Sequence, residues 1–135
     1  MPNTQETELP LVYSCSGCSN VAQLANRMAV ELDRERVAEM SCIAGVGGGI
    51  SSLVKKAKSG RKIISLDGCP LQCVRHCLSL HDVESTFHYT LTEFGIKKQH
   101  RDDLAHSVVR AIKDKVIGDI VRINHAEPVE ELCPR

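Results

Sequence analysis

A chain of 135 residues is long enough to bury a hydrophobic core as one domain without disulfide staples. Hydrophobic residues make up 42% and charged residues 25%, and 17 basic against 17 acidic side chains leave no net charge. That neutrality, with aromatics at 3% and no Trp, argues against a nucleic-acid partner, which calls for a basic surface or a stacking platform.

No apolar stretch approaches the ~20 residues of a membrane span, so no membrane partner is expected. Residues 1–8 are polar and acidic, without the basic and apolar regions of a signal peptide, and read as a disordered leader. The expected compartment is the cytoplasm. Leu9 to Ser14 is a short apolar run that fits a buried first strand. After a turn at Ser16-Gly17, Ser19 or Asn20 can cap a helix whose apolar face is Val21, Leu24, Ala25, Met28 and Leu32. Val37 to Ile43 reads as a second strand, followed by a glycine-rich loop from Gly45 to Gly49. A short helix from about Ser51 to Lys58 stops at Ser59-Gly60.

Lys62 to Leu66 is the clearest strand and ends in Asp67-Gly68-Cys69. Pro70 stands where a helix would begin, a position its missing N–H suits, and that helix should run to about Leu80. Ser85 to Glu93 alternates polar and apolar residues as a fourth strand. Residues 101–117 form an amphipathic helix through Leu104, Val108, Ala111, Ile112 and Val116, and residues 124–135 are a polar tail. Strands alternating with helices predict an α/β domain over residues 9–123. Its architecture should be three-layer, Rossmann-like or flavodoxin-like, with a mostly parallel four-stranded sheet and helices on both faces. The strand order is left open.

The chemistry lies in the cysteines. Cys15, Cys42 and Cys69 recur at 27-residue intervals, the length of one strand-plus-helix unit, each after a predicted strand. They should therefore stand on one rim of the sheet, where open α/β sheets bind ligands. Cys73, one helical turn past Cys69, adds a fourth sulfur. Neighbouring strands lie about 4.8 Å apart, so such thiols can converge on one ion with Zn–S bonds of about 2.3 Å. A helix N-terminus after Cys69 would favour thiolate. Seven cysteines, an odd number in a reducing compartment, point the same way.

The remaining candidates are less specific. Cys18 makes a C-x-x-C with Cys15 that suits metal chelation or a dithiol equally. Cys77 lies one turn beyond Cys73 and could line the same face. Cys133 reads as a dangling tail thiol or a resolving sulfur. Asp67 could orient a ligand or handle protons, or could cap a turn or helix. His76, His81, His88 and His106 form no HxxxH or HxH pair, so a histidine-built site is not expected. The glycine run lacks the Lys-Ser/Thr of a phosphate loop. Lys55, Lys56, Lys58, Arg61 and Lys62 read as a solvated basic face or an anion site.

The set Cys15-Ser16-Gly17, Cys42 through Gly48, Asp67-Gly68-Cys69-Pro70 with Cys73, and Glu93 through Lys98 resembles the DGC-domain family of zinc-binding proteins. The resemblance runs from about Tyr13 to Lys98. It implies four chelating cysteines, which map onto Cys15, Cys42, Cys69 and Cys73, with Cys18, Cys77 and Cys133 as extras. The expected function is a zinc-thiolate protein for metal storage, delivery or sensing, more naturally a binding protein than an enzyme. The alternatives are an iron–sulfur cluster on the same sulfurs and a sulfur-transfer or redox enzyme working through Cys15/Cys18 or Cys69.

Overall fold

The computed structural model describes residues 9–101 and 104–125. The predicted leader, Cys133 and most of the predicted tail lie outside the described residues. Strands β1 (Leu11–Ser14), β2 (Glu39–Met40), β3 (Ile63–Asp67) and β4 (Phe87–Thr90) form one sheet in the order β2-β1-β3-β4. All three pairings are parallel. This is the doubly wound order of flavodoxin-type sheets, with its reversal between β1 and β3, and such a reversal opens a crevice beyond the strand ends.

Helices α1 (Asn20–Arg34), α2 (Ile43–Gly47), α3 (Ser51–Ala57), α4 (Cys73–Ser79) and α5 (His106–His125) cover both faces, giving three layers. On one face Val12, Ile64, Leu66 and Tyr89 pack with Leu24, Ala25, Met28 and Leu32 of α1 and with Val109, Ile112, Val116 and Ile120 of α5. On the other, Leu11, Tyr13 and Ile63 meet Val46 of α2, Ala57 of α3, and Val74 and Leu78 of α4. The alternation of adjacent strand residues between two apolar layers follows from the pleat. Among the described residues no helix is long and apolar enough to cross a membrane.

Five elements differ from expectation. The second strand keeps only Glu39 and Met40, and the glycine run folds as helix α2. Cys42 caps that helix with its sulfur, and Gly47 lets it approach α4, where a Cβ would stand 2.9 Å from the Cys77 sulfur. The helix expected from Pro70 is α4 and starts at Cys73, because Asp67 takes the N–H groups of Val74 and Arg75. Gln72, at φ 51°, turns the chain into it. The fourth strand stops at Thr90 and becomes a 3₁₀ turn, Leu91–Phe94, closed by Gly95 at φ 82°. The last helix is shifted toward the C-terminus and reaches His125, its buried side including Val109, Ile112, Val116 and Ile120. Tyr89 donates to its buried Asp119 at 2.9 Å.

Part of the basic run has a structural task. Arg61 bridges Glu39 at 2.5 Å and donates to the Leu9 carbonyl at 2.6 Å, while Lys56 reaches Glu39 at 3.2 Å. These contacts tie the entries of β1, β2 and β3 together at the edge opposite the cysteines.

Candidate thiol site at the sheet rim

The strand order decides which cysteines are neighbours. β2, β1 and β3 lie side by side, so Cys42, Cys15 and Cys69 follow adjacent strands on one rim. Cys15 still belongs to the ladder, its N–H donating to the Leu66 carbonyl at 3.1 Å. Its sulfur accepts the Gly68 N–H at 3.2 Å and packs against both hydrophobic layers. Burial pushes the Cys15 thiol up to about 11, with Asp67, Cys73 and Cys69 adding to the effect and the Gly68 N–H opposing it.

Asp67-Gly68-Cys69 acts as a unit. The Asp67 side chain, 1% exposed, accepts from Val74 N at 2.8 Å, Arg75 N at 3.3 Å and His88 Nε2 at 2.9 Å. It thus holds the N-terminus of the helix that begins with Cys73, a cap supplied from a strand rather than from the preceding residue. Gly68 crosses the start of α1 so closely that a Cβ would lie 2.7 Å from the Val21 carbonyl carbon and 2.8 Å from Ala22 N. Only glycine passes there, and its N–H is thereby aimed at Cys15. Cys69 leaves the crossing partly buried, and Lys98 Nζ donates to its sulfur at 3.4 Å.

The other sulfurs take separate surroundings. Cys42 is exposed and accepts the Gly45 N–H at 3.4 Å. Cys77 is partly buried against α2, and burial raises its thiol, with Cys73 and Asp67 adding to the rise. Cys18 is exposed and faces His100 Nδ1 at 3.6 Å. All six described cysteines are free thiols. The rim therefore carries Cys42, Cys15 and Cys69 after adjacent strands, with Cys73 and Cys77 following one turn apart on α4. Among the described residues no three His, Cys, Asp or Glu side chains stand together as a ready metal site.

Sequence reasoning assigned no part in the site to Lys98, His88 or His100. His88 was detectable in part: alternation puts it on the opposite face from Phe87 and Tyr89, and pairing with Ser65 sets it beside Asp67. Lys98 sits in a motif already quoted, yet nothing local says that it returns to a cysteine 29 residues earlier.

No solved structure matches this chain. The anaerobic and virulence modulator AnvM of Pseudomonas aeruginosa strain PAO1 is 64% identical over 95 residues, covering 70% of this chain and 72% of that protein. The DGC domain model matches residues 11–116, from the first residue of β1 into α5. The stretch includes every cysteine of the rim and the Asp67-Gly68-Cys69 crossing that organises it, and the chain belongs to the DGC domain family.

Proposed function

We propose that the protein binds one thiophilic metal ion, zinc before others, through Cys15, Cys42, Cys69 and Cys73. The observation that carries this reading is the order β2-β1-β3, which lines up three strand ends each followed by a cysteine, with Cys73 opening the adjacent helix. The donor set fits zinc chemically: four thiols suit a tetrahedral ion. Charge compensation is at hand too. Gly68 and Gly45 offer N–H groups to two of the sulfurs and Lys98 offers an ammonium to a third. Because no three of these thiols stand together as a metal site among the described residues, the reading requires their side chains to swing together around the ion. Once bound, the ion supplies a cross-link between the strand ends and α4.

Within the family of uses open to such a site, sensing is favoured over storage. A single site holds little metal, and the relative AnvM is named as a modulator. Elemental analysis of protein purified anaerobically without added metal tests the proposal. It should give about one zinc per chain and a colourless solution, and Cys→Ser changes at the four positions should abolish binding. Full occupancy after loss of all four would overturn the reading. Brown colour with visible absorption would replace zinc by an iron–sulfur cluster.

A further inference from the structure

Cys18 belongs to a separate arrangement. Its exposed sulfur lies 3.6 Å from His100 Nδ1, between residues 82 positions apart in sequence. Chance contact between two surface side chains would leave them free to separate, but both backbones here are fixed. Ser19 and His100 form an antiparallel bridge. Asn20, 5% exposed, closes three hydrogen bonds onto the same segment: its N–H to the Gln99 carbonyl at 2.8 Å, Gln99 N–H to its Oδ1 at 2.7 Å, and its Nδ2 to the Lys97 carbonyl at 3.0 Å. On the other side, Ser19 caps α1 through Ala22 N at 3.2 Å, and Gln23 Nε2 holds the Gly17 carbonyl at 2.6 Å. The turn carrying Cys18 and the strap carrying His100 are thus clamped at the residues next to the contact.

A thiol reacts as its thiolate, and an imidazole in reach can take the proton as the sulfur attacks. We propose that Cys18 and His100 form a thiol–imidazole pair through which the protein exchanges with small-molecule disulfides, with Asn20 as the positioning residue. The Cys18 sulfur attacks one sulfur of a disulfide RSSR while His100 accepts the Cys18 proton. A Cys18–S–SR bond forms, the S–S bond of the reactant breaks, and the leaving RS⁻ takes the proton from His100 and departs as RSH. No net electron is lost, and a second small thiol reverses the step by attack on the mixed disulfide. Exposed Lys97 and Arg101 stand on either side of His100 along the strap, so a disulfide bearing carboxylates is the favoured reactant. This role is independent of whether the four rim thiols hold metal.

The test follows modification of the purified protein by glutathione disulfide, an anionic reactant, and by cystamine, a cationic one, with peptide mapping by mass spectrometry. The rate at Cys18 is read as a ratio to that at the exposed Cys73 in the same chelator-treated sample, so neither general unfolding nor metal held at Cys73 mimics the effect. Cys18 is expected to be modified at least tenfold faster than Cys73, and faster by glutathione disulfide than by cystamine. His100→Asn, a change at an exposed position, and Asn20→Ser should each bring the ratio down about tenfold. Cys18 reacting no faster than Cys73, or His100→Asn leaving the ratio unchanged, would overturn the pair. Equal rates with cystamine would overturn the preference for anionic reactants.

Discussion

Gly68 donates its backbone N–H to the Cys15 sulfur at 3.2 Å, joining the ends of β3 and β1 across 53 residues of chain. The contact depends on the close passage of Gly68 over Val21 and Ala22, where the opposing atoms are backbone and cannot yield. Gly68→Ala should therefore destabilise the fold by about 1–3 kcal/mol through overpacking. Gly17→Ala is the control: its Cβ would meet only Ala22 Cβ, at 3.6 Å, and stability should stay within about 0.5 kcal/mol of the parent. Urea unfolding midpoints at unchanged slope measure both. Equal stability of the two variants would refute the crossing as a tight constraint.

Asp67→Ala removes three hydrogen bonds from a buried position at once. Loss of the cap costs about 1–2 kcal/mol, and stranding buried donors adds a similar amount. Asp67→Asn keeps an acceptor for Val74 and should lose less. Amide exchange gives a local check: the Val74 and Arg75 amides should exchange faster in Asp67→Ala, while those in β1 follow only the global loss of stability. A uniform change across the chain would show that Asp67 does not specifically hold the helix that starts at Cys73.

How far the sequence reveals this arrangement depends on distance along the chain. The periodicity of Val21, Leu24, Ala25, Met28 and Leu32 marks α1 because every residue of that face is within a few turns, and all are buried. The run Ile63–Leu66 is equally plain, being apolar on both faces of a central strand. The helix after Cys69 is misplaced because its cap, Asp67, acts from seven residues before Val74, whereas local rules look for a cap only two or three residues away. The two-residue β2 falls below the length at which alternation can register. The spacing of Cys15, Cys42 and Cys69 does report their common rim, since one strand-plus-helix unit separates each pair. That the strands they follow are adjacent depends on the strand order, which no local pattern records.

The thiols should differ in reactivity according to burial. With Cys15 pushed up to about 11 by burial first and neighbouring negative groups second, its thiolate fraction at pH 8 is roughly one part in a thousand. After treatment with a chelator, iodoacetamide at pH 8 should modify Cys15 far more slowly than exposed Cys18 or Cys42. The Cys15 rate should climb about tenfold per pH unit and level off near pH 11. Time-resolved peptide mapping reads each site separately. A Cys15 rate that levels off by pH 9 would contradict a buried, electrostatically opposed thiol.

Lys113 of α5 reaches Glu35 at 2.9 Å and Glu31 at 3.1 Å, strapping α5 onto α1, and Arg27 supports Glu31 at 3.3 Å. Burial works to raise the Glu31 carboxyl, but Lys113 and then Arg27 outweigh it and hold it below its usual 4.5. Glu35 and then Glu31 hold the Lys113 ammonium above its usual 10.5. The signs fix the window. A lowered carboxyl gives stability present above pH 4.5 that is lost as pH falls through its folded value. A raised ammonium gives stability present below pH 10.5 that is lost as pH rises through its folded value. Lys113→Met should therefore destabilise the protein by no more than about 1 kcal/mol at pH 7, since these groups are partly open to water. The difference from the parent should shrink below pH 4 and in 1 M salt, where the attraction is removed or screened. Urea unfolding of both proteins at pH 3, 7 and 7 with salt measures it. A difference that persists unchanged at pH 3 would mean that the packing of the lysine stem, and not its charge, joins the two helices.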